Sequence, residues 1–186
     1  MTTFEFLLVT VSIVIGIAIA ELLAGVVRVL RGELQAGPLH SVWVLIILLL
    51  QFEVLWAQWE LRVRSDWTFP EFILFALTPL ILFVASAILF PAQDAGRDLD
   101  AHYFARNRPF FSVMVTLLLA ASLEDWILMG EPVGGGQDLF RAVAAALFVV
   151  AASTRTRWVH WCVGLAFLAE LSLFILSFAF GVSEAR

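Results

Sequence analysis

The residues of this chain that could do chemistry are acids set inside apolar runs. In LLLQFEVLWAQWELRVR, residues 48–64, Gln51 and Glu53 interrupt a stretch otherwise suited to lipid. Glu124 follows LLLAASL, Glu170 lies within VGLAFLAELSLF, and Glu21 within GIAIAELLAG. Carboxylates in such places can attract a cation, relay protons, or accept hydrogen bonds from a neighbouring helix. A charged side chain at the centre of a membrane helix costs about 2.5–3.5 kcal/mol on insertion scales. The acids are therefore expected to face the interior of a bundle, a wet cavity or a companion molecule.

The elements that must position them follow from apolar length. Of 186 residues, 62% are hydrophobic and 15% charged, with a mean hydropathy of +0.96. A water-soluble domain runs closer to half apolar and a quarter charged, so the fold class is an all-α, polytopic membrane bundle forming one domain over residues 1–186. A spanning helix needs about 20 mostly apolar residues. Six candidate spans cover 4–27, 41–61, 72–90, 110–129, 139–153 and 158–182. The fifth is short and carries Arg141 near its start; a five-span chain with this segment at the interface is the alternative. The first has no basic leading segment and no clear cleavage site, so it reads as a retained span and not a signal peptide.

With a rise of 1.5 Å per residue, Glu53 lies about 20 Å past His40, Glu124 about 24 Å past Arg108, and Glu170 about 20 Å past Arg157. Three helices running the same way thus carry carboxylates at similar depth, with Arg141 entering from the opposite end as the expected counter-charge. Glu21 stands apart, two turns before Arg28. The outer half of span two is polar nearly all round, which places that helix in the middle of the bundle.

All eleven basic residues are Arg, and Lys is absent. Schiff-base chemistry and a Walker phosphate loop are thereby excluded. Seven arginines (28, 31, 97, 106, 108, 155 and 157) fall on one side of a six-span chain and four (62, 64, 141 and 186) on the other. The positive-inside rule then puts both termini on the non-cytoplasmic side, and the composition suggests a bacterial inner membrane. Trp43, Trp59, Trp67, Trp126 and Trp158 lie near span ends, where indoles favour the interface. Ser12, Gly16, Ala20 and Ala24 recur every four residues, a pattern that permits close helix packing, expected here within the chain. Pro79 in mid-span removes a backbone donor and is expected to bend span three.

His40, His102 and His160 fall near the cytoplasmic rim, and Asp98 stands four before His102. This is a weak metal-ligand pattern, set against an ordinary interfacial helix interleaved with arginines, and no metal or other cofactor is assigned. Cys162 is the sole cysteine, so no internal disulfide can form, and a packed apolar position is expected for it. Hydrolase and dinucleotide motifs are absent, no catalytic residue is assigned, and the short basic stretches speak for topology and against nucleic acid. Two functions stand ahead of a third, a membrane enzyme using the His and Asp rim. One is a small ion, proton or solute permeation component using Glu53, Glu124 and Glu170, expected as a homo-oligomer. The other is a non-catalytic subunit that binds or stabilises a membrane partner protein.

Overall fold

A computed structural model describes residues 2–91 and 97–179. Arg186 and residues 180–182 of the sixth expected span lie outside the described residues. Six helices are long and apolar enough to cross a membrane, so the protein is a multi-pass helical membrane bundle. These are α1 (Thr3–Leu30), α2 (Pro38–Ala57, continued by a 3-10 segment, Gln58–Val63), α3 (Phe69–Leu89), α4 (Leu99–Glu124, continued by a π-helical turn, Asp125–Met129), α5 (Gly136–Ser153) and α6 (Arg157–Phe174, continued by a π-helical turn, Ile175–Ala179).

Local chemistry fixes the helix ends. Thr2 and Glu5 form a capping box on α1. Glu71 reaches back to the Thr68 N–H at 2.7 Å on α3, and Asp98 accepts from Asp100 and Ala101 at 2.9 and 3.1 Å on α4. Each satisfies N–H groups that a helix start leaves open. Pro38 and Pro70 occupy first-turn positions where no donor is needed. Gly130 closes α4 in the left-handed region, φ 71°, which a residue with a Cβ adopts at a cost.

The boundaries differ from the sequence expectation most at α4. It begins at Leu99, not 110, and its 31 residues with the π turn span about 46 Å at 1.5 Å per residue. That exceeds a hydrocarbon core of about 30 Å, so the charged first turns carrying Asp100, His102, Arg106 and Arg108 extend into the headgroup zone. The interfacial helix expected around Asp98 and the arginines is continuous with the fourth span. The fifth segment is a full helix of 18 residues, long and apolar enough to cross a membrane, as a six-span chain requires.

Helix α2 is the hub. It packs on α1, α3, α4 and α6, while α1, α3, α4, α5 and α6 follow one another around it. Its core face carries Trp43, Ile46, Ile47, Leu50 and Gln51, all buried. Trp43 is fully buried among Phe110, Phe111, Phe148 and Phe167, which corrects its expected place in the interfacial belt. Its flat ring fills a gap between four helices with edge-to-face and stacked contacts. Trp59, Trp126 and Trp158 are exposed on the bundle surface.

Helix α1 also corrects an expectation. Its buried face is Phe4, Leu7, Val11, Ile15, Ala18, Leu22 and Gly25. Gly16, Ala20 and Ala24 point outward, with Ser12 at the margin, and nothing stands within 4 Å of where a Cβ on Gly16 would lie. The interior stripe mixes large and small residues: Phe90 fills the space a Cβ on Gly25 would need, while Ile13, Ile17 and Leu23 stay exposed. Cys162 is likewise exposed, not packed.

Candidate functional site

The rim formed by the α3 C-terminus and the α2, α4 and α6 N-termini is held by polar fasteners. Histidines bind carbonyls there: His40 to Leu89 at 2.8 Å and His102 to Ile88 at 3.0 Å. His160 Nε2 donates to the Thr154 carbonyl at 3.0 Å, and its Nδ1 faces the Tyr103 hydroxyl at 2.7 Å. A carbonyl can only accept, so Nε2 carries the proton and the tyrosine donates to Nδ1. Asn107 donates to the same Thr154 carbonyl at 2.9 Å. Arg157 pairs with Asp100, and Arg28 donates to the Pro91 carbonyl at 3.1 Å. The weak metal set is thus dispersed: His40, His102 and His160 each satisfy helix-end carbonyls, and Asp98 caps α4. Among the described residues no group of three ligands is placed to hold a metal ion.

The acids lie toward the opposite end. Glu53 of α2 and Glu170 of α6 line one cavity of about 90 Å³, together with Thr78 of α3, Leu117 of α4 and Arg141 of α5. The remaining walls are mostly Leu, Ala and Phe. Such a space admits several waters, since one needs roughly 10–15 Å³ measured this way. Glu124 is buried just behind the wall: the Thr78 hydroxyl donates to its Oε2 at 2.8 Å. Two of the three carboxylates expected to meet therefore share the cavity, and the third is joined to it through a threonine that sequence reasoning missed. The proline that follows Thr78 marks this turn of α3 as unusual, but nothing local names its partner.

Arg141 reaches the cavity but is not the counter-charge of its glutamates. It pairs with Asp125 at 2.5 Å and with Asp138 at 3.4 Å, and hydrogen-bonds Gln137 at 3.3 Å. Asp138 also accepts from Ser122 and from the Gly134 N–H. Asp125 begins the π turn of α4, and Asp138 stands three residues before Arg141, a spacing at which helix side chains meet. Glu53 lies within electrostatic range of both Arg141 and Asp125, while the guanidinium's short bonds go to the aspartates. Two carboxylates already balance one cation, which leaves the cavity acids in excess.

Glu170 is the least satisfied. Its carboxylate lies against the Ala144 backbone of α5, yet both oxygens are buried and neither has a hydrogen bond of proper geometry. Buried polar atoms without partners are rare and costly.

Two of the polar residues sit elsewhere. Gln51 is fully buried and donates to Ser86 at 2.8 Å, a link between α2 and α3 in the core. Glu21 is exposed on the outer face of α1, which corrects the expectation that every acid turns inward. It flanks the buried stripe of Ala18, Leu22 and Gly25, which faces the neighbouring helices. Pro79 lies buried within α3, and the carbonyl it leaves free, that of Phe75, accepts from Gln58 Nε2 at 3.1 Å.

Compared with protein-family models, with curated proteins and with solved structures, the chain finds no match.

Proposed function

We propose that this multi-pass membrane protein is a permeation or transport component for a cation or protons, with Glu53 and Glu170 as the groups that receive the charge and Thr78–Glu124 as the adjoining store. One observation carries the reading: carboxylates from separate helices face one cavity while Arg141, the basic residue lining it, is committed to Asp125 and Asp138. A pocket with apolar walls and a few convergent polar groups is the ordinary form of a small-ligand site. The arginine bias favours a bacterial inner membrane with the histidine rim in the cytoplasm and both termini outside. Purified protein in liposomes is expected to conduct protons or sodium, and Glu53→Gln to cut the flux at least tenfold. Flux equal to that of empty vesicles removes the proposal.

A second reading, a non-catalytic subunit that holds a partner protein, is favoured by Glu21. This carboxylate stands on the lipid-facing side of α1 beside Gly16, Ala20 and Ala24, where a close-packed helix with a donor opposite it would relieve its cost. Copurification of a stoichiometric membrane protein in mild detergent, lost in Glu21→Gln, supports this reading. Homogeneous protein without a companion ends it.

A further inference from the structure

An open groove of about 400 Å³ runs along the outer surface between α5 and α6, walled by Val143, Leu147, Ala166 and Ala169. Phe140 and Glu170 line both this groove and the inner cavity. The groove is apolar except for Glu170. In a bilayer it faces acyl chains, because Leu139, Val143 and Leu173 are exposed on the bundle exterior. The alanines of α6 keep it open: Ala166 and Ala169 stand one turn apart, where larger side chains would close the space between the helices.

Resting on the reading that the cavity is functional, we infer that the occupant of this site is a membrane-partitioned amphiphilic cation, its chain in the α5–α6 groove and its charged head against Glu170, entering sideways past Phe140. Charge selects the head. Glu170 offers two buried oxygens without a hydrogen-bond partner, Glu53 adds a second carboxylate to the same cavity, and Arg141 is already neutralised by its two aspartates. An anion would meet unopposed carboxylates, and a neutral alcohol could satisfy only part of the acceptor capacity. Geometry selects the body: an apolar trough that joins the acid from the lipid side suits a chain lying among lipid tails. A fully hydrated inorganic ion gains nothing from it.

The probe is dodecylamine carrying a diazirine in its chain, compared with the matched dodecanol, both added to the full chain in phosphatidylcholine nanodiscs. Photolabelling by the amine is expected on α5 and α6, displaced by excess plain dodecylamine, with the alcohol at least fivefold weaker. Glu170→Gln should lower amine labelling at least fivefold. Val143→Trp fills the groove from an exposed position and leaves Glu170 in place, so it should lower labelling equally and decides the matter if Glu170→Gln fails to fold. Equal labelling by amine and alcohol, or labelling unchanged in a folded variant, overturns the inference. Sodium or proton flux dependent on Glu53 without amine labelling overturns the amphiphile and leaves permeation standing. Amine labelling in a protein that conducts nothing supports the occupant and removes permeation.

Discussion

The side-chain amide of Gln58 donates to the Phe75 carbonyl at 3.1 Å, supplying from α2 the hydrogen bond that Pro79 cannot make within α3. The two helices are thus joined at the one backbone acceptor that proline sets free. Gln58→Leu leaves this buried carbonyl unpaired and is expected to cost about 1–3 kcal/mol. Pro79→Ala restores the internal donor, so the double variant should recover much of that loss. Thermal unfolding in one detergent, run as a double-mutant cycle, measures the coupling. Strict additivity of the two changes would show that the amide does not serve this carbonyl.

The triad of Arg141, Asp125 and Asp138 should be fragile to the loss of one member. Asp125→Asn removes the negative charge of the 2.5 Å partner of a guanidinium whose side chain is only 14% exposed. Breaking a fully buried pair costs roughly 3–5 kcal/mol; with Asp138 still in place the expected loss is about 2 kcal/mol. Arg141→Gln alone should cost more than Asp125→Asn, because two aspartates then face each other without a cation. Melting temperatures of the two variants give the order.

At the opposite rim, Tyr103→Phe removes the donor to His160 Nδ1 and leaves that nitrogen buried. The expected destabilisation is about 1–3 kcal/mol, with no change in any flux the protein supports, since Glu53 and Glu170 lie toward the other end. A variant equal to wild type in thermal stability would show that the hydroxyl contributes nothing there.

Orientation can be read with thiols once Cys162 is replaced by Ala. A cysteine at Glu131, in the exposed loop between α4 and α5, should react with an impermeant maleimide applied to intact cells. A cysteine at Thr156, exposed between α5 and α6, should react only after the membrane is opened. The reverse pattern would invert the proposed threading.

Much of the architecture was legible because apolar length is a property of composition: six candidate spans follow from where the polar residues thin out, and the central place of α2 from polar residues on nearly every side of its outer half. Depth was legible too, since counting residues along a helix gives the level of Glu53 and Glu170. Rotation was not. Whether Gly16 or Ile15 faces inward depends on which stripe fits neighbours that one helix's sequence does not name, and small residues fall on both faces: Ala18 and Gly25 inside, Gly16, Ala20 and Ala24 outside. Trp43 was misplaced for a related reason, because an indole near a helix start suits either an interface or an aromatic core. The partner of Arg141 was half visible, in the spacing to Asp138. Its bond to Asp125, like that of Thr78 to Glu124, joins different helices and became apparent only in three dimensions.

The polar bonds of α6 to its neighbours gather at its beginning: Arg157 to Asp100, and His160 to Tyr103 and Thr154. Beyond them, among the described residues, its inner face meets the rest of the protein through apolar contacts and the poorly satisfied Glu170. A rod bonded at one end and only packed at the other, where Ile175–Ala179 rests on α2 and Phe174 on Phe140, is a cantilever whose packed end travels farthest for a given push. The wall of the cavity that yields most readily is then the one carrying Glu170. Amides in the far turns of α6 should accordingly exchange with deuterium sooner than those flanking His160, and a filled groove should slow them.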